Sequence, residues 1–113
     1  MTSDCLFCRI VAGEIPADLV AETEHTVAFR DIAPVAPLHV LVVPRLHLEN
    51  AAAVAGEDAS ILGEMTETAA RVADAAGHPD YRLVFNTGAG AGQTVFHAHL
   101  HVLAGRDLQW PPG

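Results

Sequence analysis

The sequence predicts an α+β fold, a five-stranded antiparallel sheet with one long and one short helix, and three observations lead there. Five short segments rich in β-branched and apolar residues are set off by Gly, Pro, Asn and Asp. Helical periodicity is confined to two places instead of alternating with the strands, which argues against a parallel α/β sheet. The 113 residues are half hydrophobic and 18% charged, which suits one compact domain spanning residues 1–113.

The elements follow in chain order. In "CLFCRIVAG" the apolar residues Leu6, Phe7, Ile10 and Val11 have helical spacing, and Gly13 can end the turn. "DLVAET" and "TVAFRDI" flank Glu24 and His25 and form a hairpin. "IAPVAP" is a proline-punctuated connection to "LHVLVV", a β-rich run stopped by Pro44. From Asp58 to Ala76, Ile61, Leu62, Met65, Ala69, Val72 and Ala76 keep the 3.6-residue period, and Gly77 and Pro79 stop it, so this is the long helix. "YRLVFN" and "TVFHAHLHVL" are the last two strands, joined by "TGAGAGQ".

Charge and composition exclude several functions. Six Arg, no Lys and fourteen acids give a net charge of −8, without the basic stripe of a nucleic-acid groove. A small phosphate ligand stays compatible, because backbone N–H groups and imidazoles can hold one. No stretch approaches the roughly 18 apolar residues of a membrane span. "MTSDCLFCRIVAGEI" lacks a basic, then apolar, leader pattern, so Cys5 and Cys8 are expected in a reducing cytoplasm.

"FHAHLHVL" places His97, His99 and His101 at every second position of a strand. Side chains at i, i+2 and i+4 share one face, so the imidazoles project together while Ala98, Leu100 and Val102 face the other way, under the long helix. A polar face built of three neutral imidazoles costs roughly 1–3 kcal/mol for each buried polar group left unpaired. One ion held by all three is geometrically awkward, since Zn–N bonds are about 2.0–2.1 Å and the three side chains lie in a line. A division of labour fits better. The Cys5-x-x-Cys8 pair can place two thiolates on one Zn²⁺, with His47 and His97 available to complete four ligands. A redox dithiol and two inert core cysteines are the alternatives for that pair, although a thioredoxin-like pair would follow a strand. His99 and His101 are then free for chemistry: an imidazole can attack phosphorus, and its neighbour can donate to a phosphoryl oxygen. The loop "NTGAGAGQT" just before them has three glycines within five residues, which let backbone approach an anion.

"HAHLHVL" resembles the His-x-His-x-His-x-x pattern of the histidine triad (HIT) nucleotide-binding superfamily. The blocks "CLFCRIVAGEIPA", "FRDIAPVAPLHVLVVPRLH" and "FNTGAGAGQTVFHAHLHVLAGR", with the ending "LQWPPG", resemble its Hint branch over nearly all of the chain. The resemblance implies a homodimer whose two sheets join into one of ten strands, with tail residues 106–113 near the partner's site. It implies hydrolysis of purine nucleoside 5′-phosphoramidates, of the adenosine 5′-monophosphoramidate type, with no organic cofactor. His99 would be the nucleophile, His101 would hydrogen-bond the phosphate, and Asn86 the sugar–phosphate region. Gly92 and Gln93 through their backbone, and Thr94 through its hydroxyl, would meet the phosphate and leaving group. Asp31 would take the ribose hydroxyls, and Phe7, Ile10, Ile15, Phe29 and Ile32 would enclose the base. His39 would lie at the edge of the pocket, and Trp110 would reach toward the partner's site. Zinc would be structural, on Cys5, Cys8, His47 and His97, as in members that keep the cysteine pair. Thr94 departs from the serine of many relatives; it keeps the hydroxyl but is stiffer about χ1. A nucleotide-binding scaffold with residual hydrolysis and a dinucleoside polyphosphate hydrolase are the competing functions.

Overall fold

The structure, a computed structural model, describes residues 4–113. Its elements are α1 (Leu6–Val11), β1 (Leu19–Glu22), β2 (Thr26–Arg30), β3 (Leu38–Pro44), α2 (Ala51–Glu57), α3 (Ala59–Ala75), β4 (Tyr81–Phe85) and β5 (Leu100–Ala104). The five strands form one antiparallel sheet in the order β1-β2-β3-β5-β4, so β1 and β4 are its edges. The α+β class and five-stranded antiparallel sheet are those expected from the sequence. No helix of the described residues is long and apolar enough to cross a membrane.

β3 is the central strand, and every residue of "LHVLVVP" is buried, because both of its faces are covered. One face meets α3: Ala28, Val40, Val42, Leu100 and Val102 pack with Ile61, Met65, Ala69 and Val72, and α2 contributes Val54. The opposite face carries Val27, Phe29, Leu41 and Val43 against Phe7 of α1. The period of two sorts these residues, since Leu41 stands opposite both Phe29 and His101 in the ladders while Val40 stands opposite Val102. His101 therefore lies on the α1 face.

The long helix begins where its sequence signals place it. Asp58, at φ −163°, accepts from Ser60 N–H at 2.9 Å as the N-cap. Its end is a Schellman turn: His78 N–H donates to the Ala73 carbonyl and Gly77 N–H to that of Asp74, with Gly77 at φ 80°. Glu64 ties α3 to the β1–β2 turn by accepting from the Thr23 hydroxyl, His25 N–H and His25 Nδ1. Those hydrogen bonds, the one from Thr23 foremost, hold its carboxyl down to a pKa of about 2.

Two features differ from the sequence expectation. The seven-residue helix α2 was not anticipated; its residues are small, only Val54 is buried, and its clearest signal is the Asn50 side chain capping Ala53 N–H at 2.9 Å. The last strand begins at Leu100 and not at Thr94. Continuing the β3–β5 register would set Ala98 opposite Pro44, which has no N–H to donate. The Pro44 carbonyl instead takes His97 Nε2–H at 2.8 Å, and Ala98 N–H donates to the Leu48 carbonyl at 2.7 Å. Residues 97–99 leave the ladder, yet Ala98 stays in the α3-side core and the flanking imidazoles face the other way.

Met65 sits fully buried at the centre of the α3 face. Met65→Ala is expected to cost about 2–5 kcal/mol through lost transfer energy and a residual cavity. Chemical denaturation monitored by circular dichroism checks this, and a loss below about 1 kcal/mol would show the core collapsing around the gap.

Candidate functional site

A cleft of about 640 Å³ opens on the α1 face, within the size range of small-ligand sites. Of the residues singled out from the sequence, Phe7, Ile10, Ile15, Phe29, Asp31, Ile32, Thr94, His99 and His101 line it. Leu6, Pro16, Ala17, Asp18, Arg30, Leu41 and Val95 line it too and were not anticipated. Alternation gave a signal for Leu41, which opposes His101 across the ladder, and helical spacing one for Leu6; Arg30 ends β2, and the rest come from the loop after α1 and the segment before β5, where no periodicity speaks. A second, polar depression of about 470 Å³ lies beside His78, Arg82 and Arg106 and contains none of the histidine row.

Five predicted nucleotide contacts, His39, Asn86, Gly92, Gln93 and Trp110, lie outside this lining. His39 is buried under the floor, its Nε2 2.9 Å from His101 Nδ1. The N–H groups of Gly92 and Gln93 are engaged inside their own turn, donating to the carbonyls of Ala89 and Gly88. The Gln93 side chain clamps that turn, accepting from Gly88 N–H at 2.8 Å and donating to the Glu49 carbonyl at 2.7 Å. Gly92, at φ 96°, adopts a conformation open to glycine, and a Cβ there would come 3.8 Å from Asn86 Nδ2. Thr94 is thus the group of this loop that reaches the cleft, while Asn86 stands beside the turn. Trp110 is 82% exposed, and the tail around it lies at the surface apart from the half-buried Leu108.

The histidines of the row have separate surroundings. His97, fully buried, donates Nε2–H to the Pro44 carbonyl, which leaves Nδ1 as its lone-pair nitrogen. That Nδ1 lies 3.4 Å from Cys5 Sγ and 3.5 Å from Cys8 Sγ, and Cys8 Sγ lies 3.2 Å from His47 Nδ1. The four donor atoms all fall within 4.8 Å of one another. Sulfur and nitrogen ligands on one tetrahedral Zn²⁺ sit about 3.5 Å apart, as follows from bonds of about 2.3 and 2.0–2.1 Å. The group could bind a metal, and its donor types and spacings fit zinc. Burial lowers the His97 pKa, keeping the ring in the neutral form that ligates.

His99 donates Nδ1–H to the main-chain carbonyl of His97 at 2.9 Å, so in the neutral ring Nε2 carries the lone pair. Edge contacts with Phe7 (ring centroids 5.1 Å) and His101 (5.1 Å) hold the ring in the cleft wall. A lone-pair nitrogen held this way, with its ring fixed from behind by backbone, can act as a nucleophile. Among the described residues, one buried side-chain nitrogen lacks a hydrogen-bond partner: His101 Nε2, beside that nucleophile. Burial, followed by the neighbouring His99 and His39, lowers the His101 pKa to about 4. The cleft thus joins an apolar slot, a nucleophilic nitrogen and an unpartnered polar nitrogen within one wall.

The depressed His101 pKa has a sign. The unfolded chain, with an ordinary histidine near 6.5, binds more protons than the folded one, so this group's contribution to stability is lost as pH falls from about 6.5 to about 4. Histidine-resolved NMR titration is expected to give His101 a midpoint well under 6; a midpoint near 6.5 would show that burial does not govern it.

Comparison with known proteins places this geometry. The family model for the HIT domain matches residues 12–108. Uncharacterized HIT-like proteins of Synechococcus elongatus and Synechocystis are 45% and 46% identical over 114 aligned residues, covering all of both chains. A HIT family hydrolase from Legionella pneumophila superposes with a TM-score of 0.92 at 46% identity, covering 97% of this chain and 100% of that one. A HIT family hydrolase from Clostridium thermocellum gives 0.91 at 40% identity over 96% of each chain. A histidine triad protein from Clostridium difficile gives 0.90 at 36%. The chain therefore belongs to the HIT domain family and has the fold of HIT family hydrolases.

Proposed function

We propose that the chain is a hydrolase of purine nucleoside 5′-phosphoramidates, of the Hint type, acting through His99. The observation that carries this is the His99 ring at an apolar slot, its Nδ1 engaged by the His97 carbonyl so that Nε2 is the nitrogen left for the cleft. The slot between Phe7, Ile10, Ile15, Phe29 and Ile32 takes a flat base by burying it, and Asp31 on the same lining accepts ribose hydroxyls. With no Lys in the chain, imidazole and hydroxyl groups hold the phosphate, a moderate grip that suits release of a monophosphate.

The reaction runs in two displacements. His99 Nε2 attacks phosphorus, a phosphorus–imidazole bond forms, and the phosphorus–amine bond breaks as the amine leaves with a proton taken from solvent, which the water of the second step gives back. Water then attacks the same phosphorus, the phosphorus–imidazole bond breaks, and nucleoside monophosphate departs with His99 restored. His101 donates a hydrogen bond to the phosphoryl oxygen in both steps, and the Thr94 hydroxyl stands on the leaving-group side of the cleft. His99→Asn is expected to lower turnover of adenosine 5′-monophosphoramidate by at least about 10³-fold while adenosine monophosphate still binds by calorimetry. Undiminished turnover in that variant would refute the mechanism.

Zinc, on Cys5, Cys8, His47 and His97, is part of the same proposal. When bound it would be structural, since four protein ligands leave no position for water, and it would clip the α1 segment to the sheet. Metal analysis of protein purified without chelator is expected to give about one zinc per chain. A metal-free protein of undiminished thermal stability would defeat this assignment. We also assign the chain to a homodimer through the open edge of β4, with Trp110 of the exposed tail directed at the partner's cleft.

A further inference from the structure

We propose that Asp31 and His39 act as positioning residues that fix the proton of His101 on Nε2, presenting that N–H to the cleft. This rests on the reading of the cleft as a phosphoryl-transfer site. It starts from a main-chain amide. Val35 N–H donates to His39 Nδ1 at 3.1 Å, so the one proton of a neutral His39 sits on Nε2. His39 Nε2–H points at His101 Nδ1, 2.9 Å away, which must accept. A neutral His101 then has its proton on Nε2, the buried nitrogen that has no partner in the protein.

The reverse arrangement is costly at each step. A proton on His101 Nδ1 would meet His39 Nε2–H head-on at 2.9 Å. Moving the His39 proton to Nδ1 relieves that clash only by facing it at Val35 N–H, which cannot shift its own proton. The residue is itself anchored: the Val35 carbonyl accepts Arg106 Nε–H at 2.9 Å, and Asp31 N–H closes the loop onto the His39 carbonyl at 3.0 Å. The Asp31 carboxylate, with Oδ1 taken by Ala33 N–H, brings Oδ2 to 3.4 Å from His39 Nε2 and favours a proton there. The prolines of "IAPVAP" flank Val35 and Ala36, and the Val35 amide supplies the donor where the relay needs it.

Asp31, His39 and His101 also bring three ligand atoms within 4.8 Å, a set that could hold a divalent ion. Ligation through His39 Nε2 would force its proton onto Nδ1, against Val35 N–H. The loop therefore favours the proton relay over a metal.

Long-range ¹H–¹⁵N spectra of histidine-labelled, ligand-free protein read the tautomer directly. His101 is expected as the Nε2–H form in the native chain and in His39→Gln, whose amide can still donate to Nδ1. His39→Leu is expected to populate the Nδ1–H form. On adenosine 5′-monophosphoramidate, His39→Leu is expected to lose roughly 10- to 100-fold in kcat with KM little changed, as when a group orienting a working histidine is removed, and His39→Gln to recover most of it. A native His101 in the Nδ1–H form overturns the proposal, as does His39→Leu with His101 still wholly Nε2–H. Should His39→Leu fail to fold, the native and His39→Gln spectra decide. Absence of turnover in the native protein would sink the hydrolase reading alone, because the tautomer is measured without substrate.

Discussion

A neutral imidazole has two nitrogens and one proton, and the site is organised by where each ring keeps it. Main-chain groups make that choice for three of them. The Pro44 carbonyl takes the proton of His97 on Nε2, the His97 carbonyl takes that of His99 on Nδ1, and Val35 N–H denies His39 a proton on Nδ1. Side chains of one chemical type, two residues apart, thereby become a lone pair aimed at two thiols and a lone pair aimed at a cleft. A backbone partner is worth about 1 kcal/mol net, yet it outlasts the rotamer changes that a side-chain partner allows.

The sheet makes this arrangement affordable. β3 separates two apolar layers, so α3 supplies the burial that holds the fold while the opposite face is shaped around the cleft. His101 stands opposite Leu41 and Val84, inside the ladder on both sides, which limits its motion to the ring itself. His99 and His97 lie just beyond the end of the ladder, where the chain can bend toward α1 and its cysteines. Regular pairing fixes His101; the irregular segment before it gives His99 and the thiol-facing ring of His97 their different orientations.

Much of this was legible in the sequence. Strand alternation told the faces of Ala98, Leu100 and Val102 from those of the histidines, and the period of Ile61, Met65, Ala69 and Val72 gave the long helix with its cap and stop. The C-x-x-C spacing brought Cys5 and Cys8 toward His97, and the apolar residues near both chain regions converged on the cleft. What escaped depends on atoms that every residue shares. The late start of β5 follows from a proline that cannot donate and a carbonyl already engaged, and neither leaves a mark on hydrophobic periodicity. α2 escaped because "NAAAVAG" has one buried side chain and hence no stripe to read. The glycine loop was expected to offer its N–H groups to an anion, whereas at Gly92 and Gln93 they close a tight turn, and Thr94 is the residue of that loop that lines the cleft.

The carbonyl that orients His99 belongs to the peptide unit of His97 and to no side chain. Codon changes at position 97 can therefore alter the ring that faces the thiols without deleting the acceptor behind the nucleophile. Lineages descending from such a chain are free to abandon the cysteine-flanked clip, or exchange it for another fastening, while inheriting the same aim of the reactive nitrogen. Robustness of this kind comes from writing the most sensitive contact into the polymer instead of its alphabet.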